Sequence, residues 1–281
     1  MNKTRIATLV GGAFLICGTE AHAVINWTYG GSSTSSTPGN TVTSTAGGVT
    51  ATAQAWSNTN DGTPNDVGSG SAATAASYKL ETAYLGVYSG GLGVNNQDGT
   101  SIGSATGDAG DLAGTAPEHA IDNNQRYDSV LFSFSGAAVN LTSMTTGYVS
   151  GDSDFTVWYY TGSGNPSLTL ANGTYGNLGA GWNLLGSYNG GSTPGATLIS
   201  NSAGIYSSYW LIGAFNNVAD TSSTLSAGND YFKISGLSGT QCTSANGCGP
   251  KGAPEPGTLF LMSAGLIGLT RIKRRHLFNN A

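Results

Sequence analysis

Apolar and polar residues alternate with period two along much of this chain. Val49-Thr50-Ala51-Thr52-Ala53-Gln54-Ala55 alternates without a break and runs into Trp56, the pattern of a strand with one buried face. Val130, Phe132 and Phe134 alternate with Leu131, Ser133 and Ser135. Over Phe155–Tyr160, Phe155, Val157 and Tyr159 fall on one side and Thr156, Trp158 and Tyr160 on the other. That distribution predicts a strand covered on both faces. Further strands are expected over 83–87, 139–145, 182–188, 209–215 and 231–237. About nine strands joined by Gly and Asn turns predict an all-β chain, an antiparallel two-sheet sandwich of jelly-roll-like type. Residues 89–116 carry almost no large apolar side chain and read as a long rim loop, with 30–41 and 57–73 as Gly/Ser/Thr connectors.

Composition agrees with strands and disfavours helices. Glycine supplies 44 of the 281 residues and only 9% are charged, and glycine costs a helix about 1 kcal/mol relative to alanine. Disorder is excluded for most of the chain because it has 5 Trp, 13 Tyr and 8 Phe, many of them within the strand-like runs, which can build a core.

The two ends break the pattern. Lys3 and Arg5 precede an apolar stretch over 6–18, and Ala21-His22-Ala23 offers small residues at Ala21 and Ala23. This is a signal helix with a signal-peptidase site after Ala23, so the mature chain starts at Val24. A lipoprotein signal at Cys17 is disfavoured by the bulky Ile16 before it. At the other end Pro254-Glu255-Pro256 leads into an apolar run over 257–270, then the basic cluster Arg271, Lys273, Arg274, Arg275 and His276. The cationic end stays on the cytoplasmic side of a membrane. Fourteen helical residues span roughly 21 Å against a hydrocarbon core of ~30 Å, so a transient membrane stop fits better than a permanent anchor.

That three-part tail resembles the PEP-CTERM sorting signal, which in Gram-negative bacteria is handled by exosortase, an intramembrane transpeptidase-like enzyme. The body is similar to exosortase-dependent surface proteins through AGGVTATAQAWSNT (46–59), AYLGVYSGGLGV (83–94), PEHAIDNNQRYDSVLFSF (117–134) and GYVSGDSDFTVWYYTG (147–162). The resemblance implies an extracellular location and no established chemistry. The organisation expected is a signal peptide over 1–23, a sandwich over 24–240, a Cys-containing linker over 241–253 and a sorting signal over 254–276.

Between the two targeting segments the basic residues are Lys79, Arg126, Lys233 and Lys251. Of the chain's 15 acidic residues only Glu20 and Glu255 lie outside, leaving 13 and a net charge of −9 against −5 for the whole chain. Such a body cannot neutralise a run of phosphates, which argues against nucleic acid as a partner. It is also repelled by anionic polymers unless divalent cations bridge them. Once Cys17 is removed, Cys242 and Cys248 remain, and in an oxidising compartment they are expected to form one small disulfide.

Three constellations bear on chemistry. Glu118, His119, Asp122, Asp128 and Ser129 include the residue types of a hydrolytic triad, but no Gly-x-Ser-x-Gly elbow is present. The alternative is an ordered loop whose Asp and Asn side chains cap turns. Asp152 and Asp154 in Gly-Asp-Ser-Asp, with Asp122 and its neighbours Asn123 and Asn124 and with Asp230, are oxygen donors of the kind calcium takes; the plain alternative is turn formation. Calcium is thus the one candidate cofactor. Trp56, Trp158, Tyr159, Tyr160, Trp182, Tyr188, Tyr206, Tyr209 and Trp210 supply aromatic faces that stack on sugars, although most must fill the core of a sandwich. The expectation is a non-enzymatic, surface-sorted protein with a structural or adhesive role in an exopolysaccharide-associated biofilm matrix. Its partners would be signal peptidase, exosortase and exopolysaccharide. A calcium-supported carbohydrate-binding module is the rival, with an extracellular hydrolase third. A Trp158 or Trp210 facing outward beside a groove would favour the binding module.

Overall fold

The computed structural model describes residues 23–33, 37–58, 79–97, 119–124, 126–226 and 229–243. The expected signal helix, the C-terminal hydrophobic helix and the sorting cluster lie outside the described residues. Within them, fourteen strands and one short helix form two antiparallel sheets. The sheets face each other as expected and do not close into a barrel.

The first sheet holds β1 (Val24–Thr28), β5 (Tyr84–Tyr88), β6 (Gly91–Asn95), β7 (Ile121–Asp122), β9 (Val139–Val149), β12 (Ala196–Leu198) and β14 (Tyr231–Gln241). The second holds β2 (Thr41–Ala46), β3 (Val49–Asn58), β4 (Leu80–Thr82), β8 (Asp128–Ser135), β10 (Phe155–Tyr160), β11 (Trp182–Tyr188) and β13 (Tyr209–Ala214), in the order β11-β10-β13-β8-β3-β2 with β4 on β3. β14 organises the first sheet. Its register with β9 runs from Phe232↔Val149 to Gln241↔Val139. It also pairs in succession with β7 at Tyr231 and Phe232, β6 at Ile234 and β1 from Gly236 to Thr240.

The core between the sheets follows the period-two pattern. Phe132, Phe155, Trp210 and Ile212 from the second sheet meet Trp27, Leu85, Leu92, Phe232 and Ile234 from the first, all essentially inaccessible to solvent. β3 offers mainly alanines inward (Ala51, Ala53, Ala55), and large side chains from elsewhere fill the room. Trp27 packs edge-on against Phe134 at 4.9 Å and donates its indole N–H to the Val49 carbonyl at 2.9 Å. That bond satisfies the one polar atom of an otherwise apolar payload.

A second, smaller core lies on the outer face of the second sheet. Trp56, Leu131, Trp158 and Leu211 are roofed by Leu80, Tyr127, Leu170, Tyr175 and Leu178. β10 is therefore covered on both faces, as its double apolar pattern predicts. The roof includes α1 (Pro166–Leu170), which the alternation did not announce. Its start is nevertheless written in the sequence: Asn165 caps it through a side-chain bond to the Ser167 amide at 3.0 Å, and Pro166 fills the first turn.

The expected rim loop over 89–116 is corrected by β6, a wholly buried strand at Gly91–Asn95. Glycines hid it. A Cβ on Gly93 would overlap the His119 carbonyl oxygen, and one on Gly91 would overlap the Ile234 carbonyl. Backbone, rather than side chains, fills this part of the sheet. The connector expected over 30–41 likewise ends in β2, whose Thr and Ser residues blur the apolar alternation.

Replacing Gly93 with Ala is expected to lower stability toward the upper end of ~1–3 kcal/mol. Gly30→Ala, where a Cβ meets nothing within 4 Å, should stay within about 0.5 kcal/mol of wild type. Urea denaturation midpoints measure both; equal midpoints for the two variants would contradict the close packing of β6.

Candidate functional site

The tightest concentration of chemistry sits where β14 begins. Gly151 takes a positive φ of 79°, which turns the chain after β9 so that Asp152 runs beside the residues preceding β14. The Asp152 amide donates to the Asn229 carbonyl at 3.1 Å, and the Tyr231 amide donates to the Asp152 carbonyl at 2.9 Å. Two residues on, the Asp154 amide donates to Oδ1 of Asp230 at 2.8 Å. The Asp154 carboxylate accepts from the Gly190 amide at 3.2 Å, and its carbonyl accepts from Phe215 at 2.9 Å. Ser153 ties the same turn to the Gly191 carbonyl at 2.6 Å. One carboxylate oxygen from each of Asp152, Asp154 and Asp230 lies within 4.8 Å of the others. Oxygens bound to a single calcium at 2.3–2.6 Å can be up to about 5 Å apart, so the spacing suits that ion.

Two of the three acids are buried: Asp230 is 0% and Asp154 1% exposed, while Asp152 is half-buried. Burial pushes the Asp230 carboxyl up to about 8, with the negative charges of Asp154 and Asp152 adding to the effect. The hydrogen bonds from the Asp154 amide and Asn123 oppose it. Asp154 is raised as well, by burial first and by Asp152 second, against the Gly190 amide. Such a site holds a proton or a cation more readily than three bare charges.

Asp122, expected beside Asp152 and Asp154, is not part of this group. It stands opposite Tyr231 in the β7–β14 register, and its Oδ1 accepts from the Asn124 amide at 2.9 Å. The next residue takes the neighbouring place: Asn123 donates from Nδ2 to Asp230 and accepts from the Asp230 amide at 3.2 Å. Side chains alternate along a strand, so one residue decides which of the two reaches the cluster. Asp230 is the third acid.

Two residues of the supposed triad engage other partners. Ser129 is buried and its hydroxyl bonds Tyr175 at 2.7 Å, with the Trp56 carbonyl at 3.4 Å. His119 stacks flat on Tyr88 with centroids 4.8 Å apart, and its Nδ1 lies 2.9 Å from Asn95 Oδ1. Lys233 Nζ lies over the Tyr88 and Tyr148 rings at 4.6 and 4.7 Å, so His119 belongs to an aromatic stack beside a cation. Glu118 lies outside the described residues.

Of the two tryptophans that discriminate the readings, Trp210 is fully buried between the sheets, its indole bonded to the Val139 and Ser207 carbonyls at 3.1 Å each. Trp158 is on the outer face and, with Trp182, lines a cavity of 210 Å³. Cys242 is disulfide-bonded, and its amide donates to the Ala138 carbonyl at 2.7 Å. The expected partner Cys248 lies outside the described residues.

Residues 253–275 match a family model described as the PEP-CTERM protein-sorting motif. The segment begins twelve residues after the last residue of β14. It contains Pro254, Glu255 and Pro256 and the basic residues Arg271, Lys273, Arg274 and Arg275. The chain thus carries the sorting signal that its tail resembles. The motif implies an exosortase as sorting partner and secretion to the cell surface through a membrane-anchored intermediate. No curated protein and no solved structure matches the chain.

With calcium chelated, stability should fall as pH rises through the window set by Asp230. The unfolded carboxyl ionises near 3.8 while the folded one keeps its proton up to about 8. The folded state therefore binds the extra proton, so its contribution is complete below about pH 4, declines toward pH 8 and is level beyond. Asp230→Asn should flatten that slope in thermal melts; a slope unchanged in this variant would place its origin elsewhere.

Proposed function

We propose that this chain is a non-enzymatic, surface-displayed β-sandwich with a structural or adhesive role in an exopolysaccharide-associated matrix. The observation that carries the reading is the sorting motif at 253–275, joined by a short linker to the end of β14. Two further features support it. The body between the targeting segments has a net charge of −9, which keeps it soluble and leaves anionic polymers to be bridged by cations. Ser129 bonds Tyr175 and His119 stacks on Tyr88, which favours this reading over a Ser–His hydrolase.

Signal peptidase removes residues 1–23 in this scheme, and exosortase acts near Pro254-Glu255-Pro256 after a transient membrane stop. Intact mass and fractionation of protein recovered from cells test the reading. The expected species lacks both terminal segments and sediments with the polysaccharide fraction. Surface protein still carrying residues 271–275 would defeat the processing step, and protein wholly free of polysaccharide would defeat the matrix role.

Calcium is the proposed occupant of the Asp152, Asp154 and Asp230 cluster, supported by the spacing of their oxygens. A ligand bound only by the native state raises its stability. Calcium should therefore raise the melting midpoint at neutral pH, and Asp152→Asn combined with Asp154→Asn should abolish the rise. An unchanged wild-type midpoint removes the metal; a rise that survives the double substitution moves it to another site.

A further inference from the structure

The outer face of the second sheet carries a second candidate site, far in character from the acid cluster. Trp158 from β10, Trp182 and Leu184 from β11, and Tyr175 and Leu178 from the segment after α1 line the 210 Å³ cavity together with Asn177. The space equals roughly seven liquid-water volumes, room for one small ring rather than for a peptide or an acyl chain. From the geometry we infer that this cavity binds a ring of a neutral polysaccharide. The inference deepens the matrix reading proposed above, on which it rests, by naming the partner's chemical class and the residues that grip it.

Three features narrow the occupant. Among the described residues the lining holds no carboxylate, ammonium, guanidinium or imidazole, so nothing in the cavity selects for charge in a ligand. Tyr175, its one phenol, is committed elsewhere: the hydroxyl bonds Ser129 at 2.7 Å and the Tyr127 carbonyl at 2.9 Å. The accessible lining is therefore mainly neutral and polar, with a smaller aromatic and aliphatic share. A sugar ring matches that, with C–H faces to lay on indole and hydroxyls round its edge.

The aromatic walls are fixed in advance. The Trp182 indole N–H donates to Thr169 Oγ1 at 3.0 Å, and its ring leans on Tyr160 at 5.2 Å. Trp158, 3% exposed, packs against Tyr175 at 5.9 Å and forms the base of the cavity. Trp182 is half-buried and Leu184 39% exposed, so these two give the open platform. Preset rings lose little freedom when a ligand settles on them.

The hydrogen-bonding rim is also preset. Thr174 and Asn177 exchange backbone hydrogen bonds at 2.9 and 2.8 Å, and the Asn177 side-chain oxygen accepts from the Gly179 amide at 3.1 Å. The carboxamide is thereby oriented with its NH2 left to donate outward. Gly176 adds no side chain to the opening, and Gly179 holds a positive φ of 93° that favours glycine.

The test uses the secreted chain purified from culture, with cellohexaose, laminarihexaose and chitohexaose as neutral probes and polygalacturonate as the charged comparison. Binding is followed by calorimetry and by tryptophan fluorescence. At least one neutral probe should bind with a fluorescence shift, and Trp182→Ala should weaken it tenfold or more. Leu184→Ala, on the rim, should weaken it about threefold with the melting midpoint unchanged. Asn177→Ala, which also removes the bond to the Gly179 amide, should weaken it about threefold, and the two decide the matter if Trp182→Ala fails to fold. Failure of all three neutral probes, binding of polygalacturonate alone, or neutral binding unaltered in the rim variants would overturn the inference. Its failure is separable from that of the matrix reading. Cells whose Asn177→Ala protein still sediments with polysaccharide keep that reading and lose this cavity. Purified protein that binds a neutral probe but never fractionates with polysaccharide keeps the cavity and loses the reading.

Discussion

The pairing of β14 is the constraint on which the rest depends. One strand of eleven residues holds β9 along one edge and β7, β6 and β1 in succession along the other. It puts Phe232, Ile234 and Leu237 into the core, sets Asp230 at its entrance, and delivers the chain to the sorting segment at its exit. A shift of one residue in this register would turn the apolar set outward and carry Asp230 away from Asp152 and Asp154. The acid cluster is thus a product of strand register more than of local loop sequence.

That dependence explains what could be read in advance. β10 and β11 were legible to the residue, and β3 and β8 nearly so: β3 and β8 alternate apolar and polar side chains, while β10 is a short aromatic-rich run apolar on both faces. The glycines of β6 erase the same signal, since its burial comes from close backbone contact with Ile234 and His119. α1 is announced only by Asn165-Pro166, a cap and a first-turn proline. Asp152 and Asp154 could be paired from their spacing alone. Choosing Asp230 over Asp122 required knowing that Asp122 stands opposite Tyr231, information that belongs to two strands more than a hundred residues apart. The discrimination between Trp158 and Trp210 was likewise a question of face, and only the sheet order settles it.

The two cores do different work. The inner one, bounded by Trp27, Phe132 and Trp210, holds sheet to sheet by apolar burial. The outer one covers only part of its sheet. Where α1 and the following glycine-rich segment stop, Trp182 and Leu184 remain partly in solvent. A sandwich needs the first core to exist, while the second leaves an irregular, aromatic-lined surface on an otherwise hydroxyl-rich face. Acid cluster and aromatic cavity share β10 and β11: Asp154 precedes the one and Gly190, which bonds it, follows the other.

Val24 stands directly opposite Thr240 where β1 meets β14, so both ends of the folded body leave from the same end of the first sheet. The acids lie at the other end of β14, roughly 35 Å away along an extended strand. Antiparallel hydrogen bonds lie perpendicular to their strands. A pull between the C-terminal end of β14 and its far end runs along the strand, so its rungs to β9 and β1 are sheared together rather than unzipped one by one. Load between these two ends is therefore shared across the whole ladder.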